Sequence, residues 1–256
     1  MPDLFIDLIL GFGIGLSLGL LGGGGSILTV PALVYIAGQS PQAAITTSLA
    51  IVGANSFLGA YFHFRHGALN WNIALFFGGS GMLFSYLSAG LSKNFPPSVL
   101  MISFAVLMLA IGILMILRHE KNDENTTKPR GLWPILTIGA GIGLLTGFLG
   151  VGGGFLIVPT LVMFVGLPIY QAIGTSLIII TANSAAGLLG HISNVSIDPI
   201  LTSFFILAGL VGTLSGVRLA YHLPAQRLRF IFACFIIILA CVLIFDNLGA
   251  LVKPGP

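Results

Sequence analysis

Residues 11–31 read Gly11-Phe-Gly-Ile-Gly-Leu-Ser-Leu-Gly-Leu-Leu-Gly-Gly-Gly-Gly-Ser-Ile-Leu-Thr-Val-Pro31, and residues 139–159 read Gly139-Ala-Gly-Ile-Gly-Leu-Leu-Thr-Gly-Phe-Leu-Gly-Val-Gly-Gly-Gly-Phe-Leu-Ile-Val-Pro159. The second stretch is the first one repeated 128 positions later, half the length of this 256-residue chain. When each residue is paired with the one 128 further on, 27 of the 53 positions from 11 to 63 are identical without a gap. The matches run through Gly22/Gly150, Gly24/Gly152, Gly25/Gly153, Thr47/Thr175, Ser48/Ser176, Asn55/Asn183 and His63/His191, so polar residues are duplicated along with the apolar frame. Duplicated halves in a hydrophobic chain are the usual build of secondary transporters, whose substrate site lies where the halves meet.

Composition sets the class. With 56% hydrophobic and 7% charged residues and a mean hydropathy of +1.07, the chain has more apolar surface than a water-soluble fold of this size hides. Apolar runs of spanning length recur from end to end, and none alternates with the period of two of an outer-membrane barrel, so the predicted class is all-α and membrane-embedded. The net charge of +3 comes from bases too scattered to form a nucleic-acid patch. Cys234 and Cys241, seven apart in one apolar run, fall on one helix face and read as packing residues. The N-terminus lacks the basic region and cleavage site of a signal peptide, so the expectation is that Met1 onward is retained.

Five apolar segments are predicted in each half, near 4–21, 25–37, 43–64, 71–91 and 97–117, then near 132–149, 152–166, 171–192, 197–219 and 225–245. This divides the chain into a first repeat (1–117), a polar linker (118–131) and a second repeat (132–256). The second segment of each half is short; about 20 Å of helix does not reach across a hydrocarbon core of roughly 30 Å, so each is expected to be broken or re-entrant. Each half then crosses an odd number of times, which inverts the second half. Under this scheme Arg65, Arg118, Lys121, Lys128, Arg130, Arg218, Arg227 and Arg229 share one side and only Lys93 and Lys253 the other. Four crossings per half would split the same charges six to four, so the positive-inside tendency selects inverted repeats with a cytoplasmic linker and both termini outside.

The glycine clusters Gly22, Gly23, Gly24, Gly25 with Ser26, and Gly150, Gly152, Gly153, Gly154, each precede a short helix whose first N–H groups and positive dipole end favour an anion. A close-packed membrane turn with no ligand fits the same residues. On the third segments, Ser48, Asn55, Gly59 and His63 lie within about 80° of one another on a helical wheel. Thr47, Ser48, Asn55, Thr175, Ser176 and Asn183 offer hydroxyl and amide donors to an oxyanion, but small polar residues also fasten membrane helices together, and the Thr-Ser pairs fit helix caps equally well. No Asp or Glu lies deep in a segment, which leaves His63 and His191, one near each mouth of a path, as proton or gate residues; an interfacial anchoring role also fits. The glycines at spacing four, Gly11, Gly15, Gly19 and Gly139, Gly143, Gly147, read as helix-packing strips, not as a nucleotide motif. No metal site and no cofactor are expected.

The doubled stretch from Leu21 to Pro31 and from Leu149 to Pro159, each followed by Ala-Ile-x-Thr-Ser-Leu at 44–49 and 172–177, resembles the TauE/SafE family of sulfite and organosulfonate exporters over nearly the whole chain. The resemblance implies a permease for a small sulfur-containing anion and, with the compact length, a bacterial inner membrane; the inverted repeats add the expectation of alternating access. Ser26 where the second copy has Gly154, and Gly23 where it has Val151, set the two half-sites apart. An anion channel on the same repeats is the second reading. A membrane enzyme is the third, weakened because neither cysteine is repeated, near the glycine turns or beside a histidine. The expected partners are the anion and the lipid bilayer, with homo-oligomers compatible and nucleic acid excluded. A reporter fused after Pro256 that works only in the cytoplasm is expected to stay silent; activity there overturns the orientation.

Overall fold

A computed structural model describes residues 2–39, 41–89, 97–117, 131–149, 154–191 and 198–252. The described residues are helical, with no strand among them. The helices are α1 (Pro2–Leu21), α2 (Gly24–Pro31), α3 (Pro41–Arg65), α4 (Trp71–Ala89), α5 (Pro97–Leu117), α6 (Leu132–Leu149), α7 (Gly154–Thr160), α8 (Ile169–His191), α9 (Pro199–His222) and α10 (Ala225–Val252). Helix α2 runs on through a π-helical turn at Ala32–Ile36, and α7 through one at Leu161–Val165.

Each predicted segment has its helix, and the differences are at ends. Helix α9 starts at Pro199 because the Asp198 carboxylate accepts from the Ile200 and Leu201 amides and proline occupies the first turn, where its missing N–H costs nothing. Helix α10 continues past 245 to Val252, since Asp246 and Asn247 end the apolar run without ending the helix. The second segments are short, as expected: 24–36 and 154–165 rise about 18–20 Å. Both close on a left-handed glycine, Gly38 (φ 68°) and its repeat equivalent Gly166 (φ 85°). The next amides, of Gln39 and Leu167, bond back to the carbonyls of Leu33 and Leu161, which satisfies groups that the bilayer would otherwise leave bare.

Among the described residues four helical stretches are long and apolar enough to cross a membrane: Ala43–Arg65, Ile169–Leu188, Pro199–His222 and Ala225–Val242. The outer surface shows large apolar side chains, including Leu75, Leu117, Trp133, Ile200 and Phe245, which suits lipid and not water. Cys241 is also exposed on this surface, so only Cys234 is partly packed, a correction to the reading of both as packing residues. Asp7 is buried near the start of α1.

The halves interlock. Helix α1 packs in parallel on α9, and α6 on α4. A Cβ at Gly15 would lie 2.0 Å from the Gly209 carbonyl oxygen, and one at Gly143 would lie 2.2 Å from that of Gly81. These two contacts are repeat equivalents, as are Gly11 on Phe205 and Gly139 on Phe77. Among the other inter-repeat pairs, α2 with α7, α3 with α8 and α5 with α10 join equivalent helices, and α3–α9 has its counterpart in α8–α4, so exchanging the halves reproduces the main pairings. Helices α3 and α8 cross antiparallel: Leu49 meets Gly187, Gly53 meets Ser184, Gly59 meets Leu177 and His63 meets Gly174. Asn55 and Asn183 sit at the middle of that crossing.

Substitution at the glycine crossings is expected to unseat the interlock. Gly15→Ala and Gly143→Ala each push a methyl into a facing backbone and should cost about 1–3 kcal/mol of stability. Gly13→Ala and Gly141→Ala, where an added Cβ meets nothing within 4 Å, should be neutral. Thermal unfolding of the four variants in detergent checks this, and equal losses in all four would contradict it.

Candidate functional site

The first glycine turn is held by the other repeat. Gly22 adopts φ 70°, and a Cβ there would strike the Ile173 backbone and the Ser176 hydroxyl of α8. Ser176 Oγ lies 2.5 Å from the Gly22 carbonyl oxygen and 2.7 Å from that of Ile173, so one proton serves two acceptors. Gly24 lies under the Phe235 ring of α10, and Gly25 rests on the Ile14 carbonyl of α1. Gly23 precedes α2 without a side-chain cap, and of the first amides of α2 that of Ser26 donates to the Gly23 carbonyl oxygen at 3.2 Å. Ser26 Oγ donates to the Gly23 carbonyl oxygen at 2.7 Å and lies 2.7 Å from where a Gly154 Cβ would stand. Ser26 and Gly154 are repeat equivalents in the sequence, so the starts of α2 and α7 touch at matching positions of the two halves. Gly150, Gly152 and Gly153 lie outside the described residues.

The polar stripe of α3 is buried. Thr46, Thr47, Asn55, Ser56 and His63 are completely shielded, and Ser48 nearly so. Thr47, Ser48, Thr175 and Ser176 lie in the second turns of α3 and α8, beyond the ends that begin at Pro41 and Ile169, which removes the capping alternative. Ser48 donates to the Ile45 carbonyl oxygen at 2.8 Å, matching its equivalent Ser176 on Ile173. Thr175 accepts from the Asn70 amide at 3.1 Å and ties α8 to the entry of α4, whose first turn the Asn70 side chain caps. Its equivalent Thr47 has no such partner. Thr47 Oγ1, both amide atoms of Asn55, Ser56 Oγ, Thr160 Oγ1 and Asn183 Oδ1 are buried without a hydrogen-bond partner in the protein. The Asn55 amide lies flat on Gly209, where a Cβ would come within 2.2 Å of Nδ2.

Such orphaned groups cost about 1–3 kcal/mol each unless a ligand or ordered water meets them. The arrangement gathers buried hydroxyl and amide groups, donors and acceptors alike, on helices packed against α2 and α7. Asp7 is the one acidic side chain buried among the described residues. No cluster of three His, Cys, Asp or Glu side chains among them fits a metal.

His63 is fully buried rather than open at a mouth. Its Nδ1 lies 3.0 Å from the Tyr221 hydroxyl, and its Nε2 has no partner. Tyr221, Tyr170 and His66 gather at this point and escaped the sequence reading, because their equivalents at 93, 42 and 194 are Lys, Gln and Asn and break the repeat. His191 ends α8, and its side chain lies outside what is described.

Interlocked apolar helices, short paired segments and buried uncharged donors define a multi-pass membrane transporter. The profile of the Sulfite exporter TauE/SafE family matches residues 8–243, and the chain belongs to that family. It is 31% identical over 245 residues to a probable membrane transporter protein of Xylella fastidiosa strain 9a5c, covering 93% of this chain and 94% of that one. Over 192 residues it is 30% identical to one of Methanocaldococcus jannaschii, covering 73% and 71%. It is 26% identical over 222 residues to the probable membrane transporter protein YdhB of Bacillus subtilis, covering 85% and 91%.

Ser176→Ala is expected to leave the Gly22 carbonyl unmet and to lower stability by about 1 kcal/mol. Gly22→Ala adds the strain of a left-handed alanine to a backbone clash and should lose more. Unfolding midpoints in detergent test the order, and a Gly22→Ala variant as stable as the parent would contradict it.

Proposed function

We propose that the chain is a secondary transporter that moves sulfite, an organosulfonate or a related small sulfur anion by alternating access between two inverted repeats. The observation that carries this is the meeting of Ser26 with Gly154: the uncapped start of α2 touches that of α7, beside helices whose Thr47 and Asn55 donors are buried without partners. Two positive helix ends with neutral hydroxyls and amides hold an anion without a buried cation, whose transfer into lipid is costly. The site on this reading comprises Gly22, Gly23, Gly24, Gly25, Ser26, Thr47, Ser48 and Asn55, with Gly150, Gly152, Gly153, Gly154, Thr175, Ser176 and Asn183. The antiparallel crossing of α3 and α8 supports the inversion, since equivalent spanning helices that run oppositely need a two-fold axis in the membrane plane. It also sends the ends of α3 and α8, with His63 and His191, to opposite faces. The charge asymmetry supports a cytoplasmic linker at 118–131 and outward termini, and the family supports the sulfur anion; a bacterial inner membrane belongs to the same proposal. An ion gradient or the membrane potential supplies the driving force.

Labelled sulfite, sulfonate, thiosulfate and sulfate uptake into proteoliposomes tests this reading. Asn55→Ala combined with Asn183→Ala removes two bonds to a charged ligand, each worth about 1.5–3 kcal/mol, and is expected to reduce flux at low substrate by at least about tenfold. Unchanged flux removes the asparagines from the site, and no uptake of any of the four by the parent chain removes the substrate class.

A further inference from the structure

The strongest feature outside the proposed anion site is the ring cluster that joins three helices of different repeats. Tyr221, at the end of α9, packs against His63 of α3, His66 in the turn just after α3 and Tyr170 of α8. The ring centres are 5.3 Å from His63 with planes tilted 38°, 4.5 Å from His66 with planes at 24°, and 5.7 Å from Tyr170 with planes at 7°. Hydrogen bonds fasten the stack: the Tyr221 hydroxyl to His63 Nδ1 at 3.0 Å, and the Tyr170 hydroxyl to the Leu223 carbonyl oxygen at 2.5 Å. His66 is exposed, Tyr221 and Tyr170 are partly covered and His63 is sealed, so the stack runs from the surface inward. It stands at the end of the bundle that carries the exposed Arg65, Arg218 and Arg227.

Below it the α3–α9 seam is zipped. Asn55 covers Gly209, and Gly59 meets Thr213. The equivalent α8–α4 seam is different: a Cβ at Gly81, the counterpart of Gly209, would meet only the Gly139 carbonyl oxygen, at an ordinary 3.4 Å, so Asn183 does not cover it. The repeats share their frame but not this closure, and Lys93, Gln42 and Asn194 stand where the other end would need Tyr221, Tyr170 and His66.

We propose that Tyr221 is the bolt of a one-sided gate, which holds α3 against α8 and α9, closes the path at the arginine-bearing end and must withdraw from His63 and His66 for the path to open there. This rests on the transporter reading and adds which end is shut and by which residues. Ser56, seven residues before His63 and on the same face of α3, lies about 10 Å further in, buried and unpartnered, and so reports whether the bolt is drawn.

The test uses Ser56→Cys in a chain carrying Cys234→Ala and Cys241→Ala, with a membrane-impermeant thiol reagent added to inside-out or right-side-out vesicles. With Tyr221 in place, labelling from the arginine-bearing face is expected to be slow. Tyr221→Ala, which removes three ring contacts, should speed it about tenfold from that face alone. His66→Ala, a surface change that does not threaten folding, should speed it severalfold. Labelling unchanged in both variants overturns the gate, as does an increase of equal size from both faces. Because the reagent reports access without any substrate, a wrong anion assignment leaves this outcome intact and shows only in the flux measurements.

Discussion

Gly15 lies on Gly209 and Gly143 lies on Gly81 so closely that a side chain at Gly15 or Gly143 would strike the facing backbone. Inside a bilayer the apolar effect does not distinguish a lipid neighbour from a protein one, so helix association depends on such close backbone approach. These two crossings join α1 to α9 and α6 to α4, each a union of one repeat with the other. Everything central to the molecule is then positioned between them: the antiparallel α3 and α8, and the short α2 and α7 that start against one another.

The second constraint is the supply of hydrogen-bond partners. The short helices end in the left-handed Gly38 and Gly166, whose following amides satisfy otherwise stranded carbonyls, and Ser176 meets the Gly22 carbonyl across the repeat interface. Against that economy, the bare groups of Thr47, Asn55, Ser56 and Asn183 stand out. On the transporter reading proposed above, these are groups that a substrate or ordered water would meet.

The ten helices among the described residues were legible because apolar runs broken by glycine and proline carry both length and limits, and the 128-residue offset tied the polar positions of one half to those of the other. Their pairing was not legible. A strip such as Gly11, Gly15 and Gly19 says that a helix packs closely but not on which neighbour, and the choice of α9 is made by the whole fold. The polar stripe through Ser48, Asn55 and His63 was found by its angle on the helix and is buried as that angle implies. The capping alternative for Thr47 and Thr175 fell because the helices begin a full turn earlier than those residues. Tyr221 and Tyr170 were passed over for a different reason: a search that follows duplication is blind to residues present in one copy only, and asymmetry between the copies resides in those.

The interlocked pairing has a consequence for how such a molecule is made. When the first half has been synthesised, α1 and α4 present glycine faces whose partners, α9 and α6, do not yet exist. The first half therefore has to wait in the bilayer as loosely associated helices until the second supplies the matching faces. A chain of half this length would find those faces only on a second copy of itself, so the fused protein amounts to a dimer whose two subunits have been joined end to end.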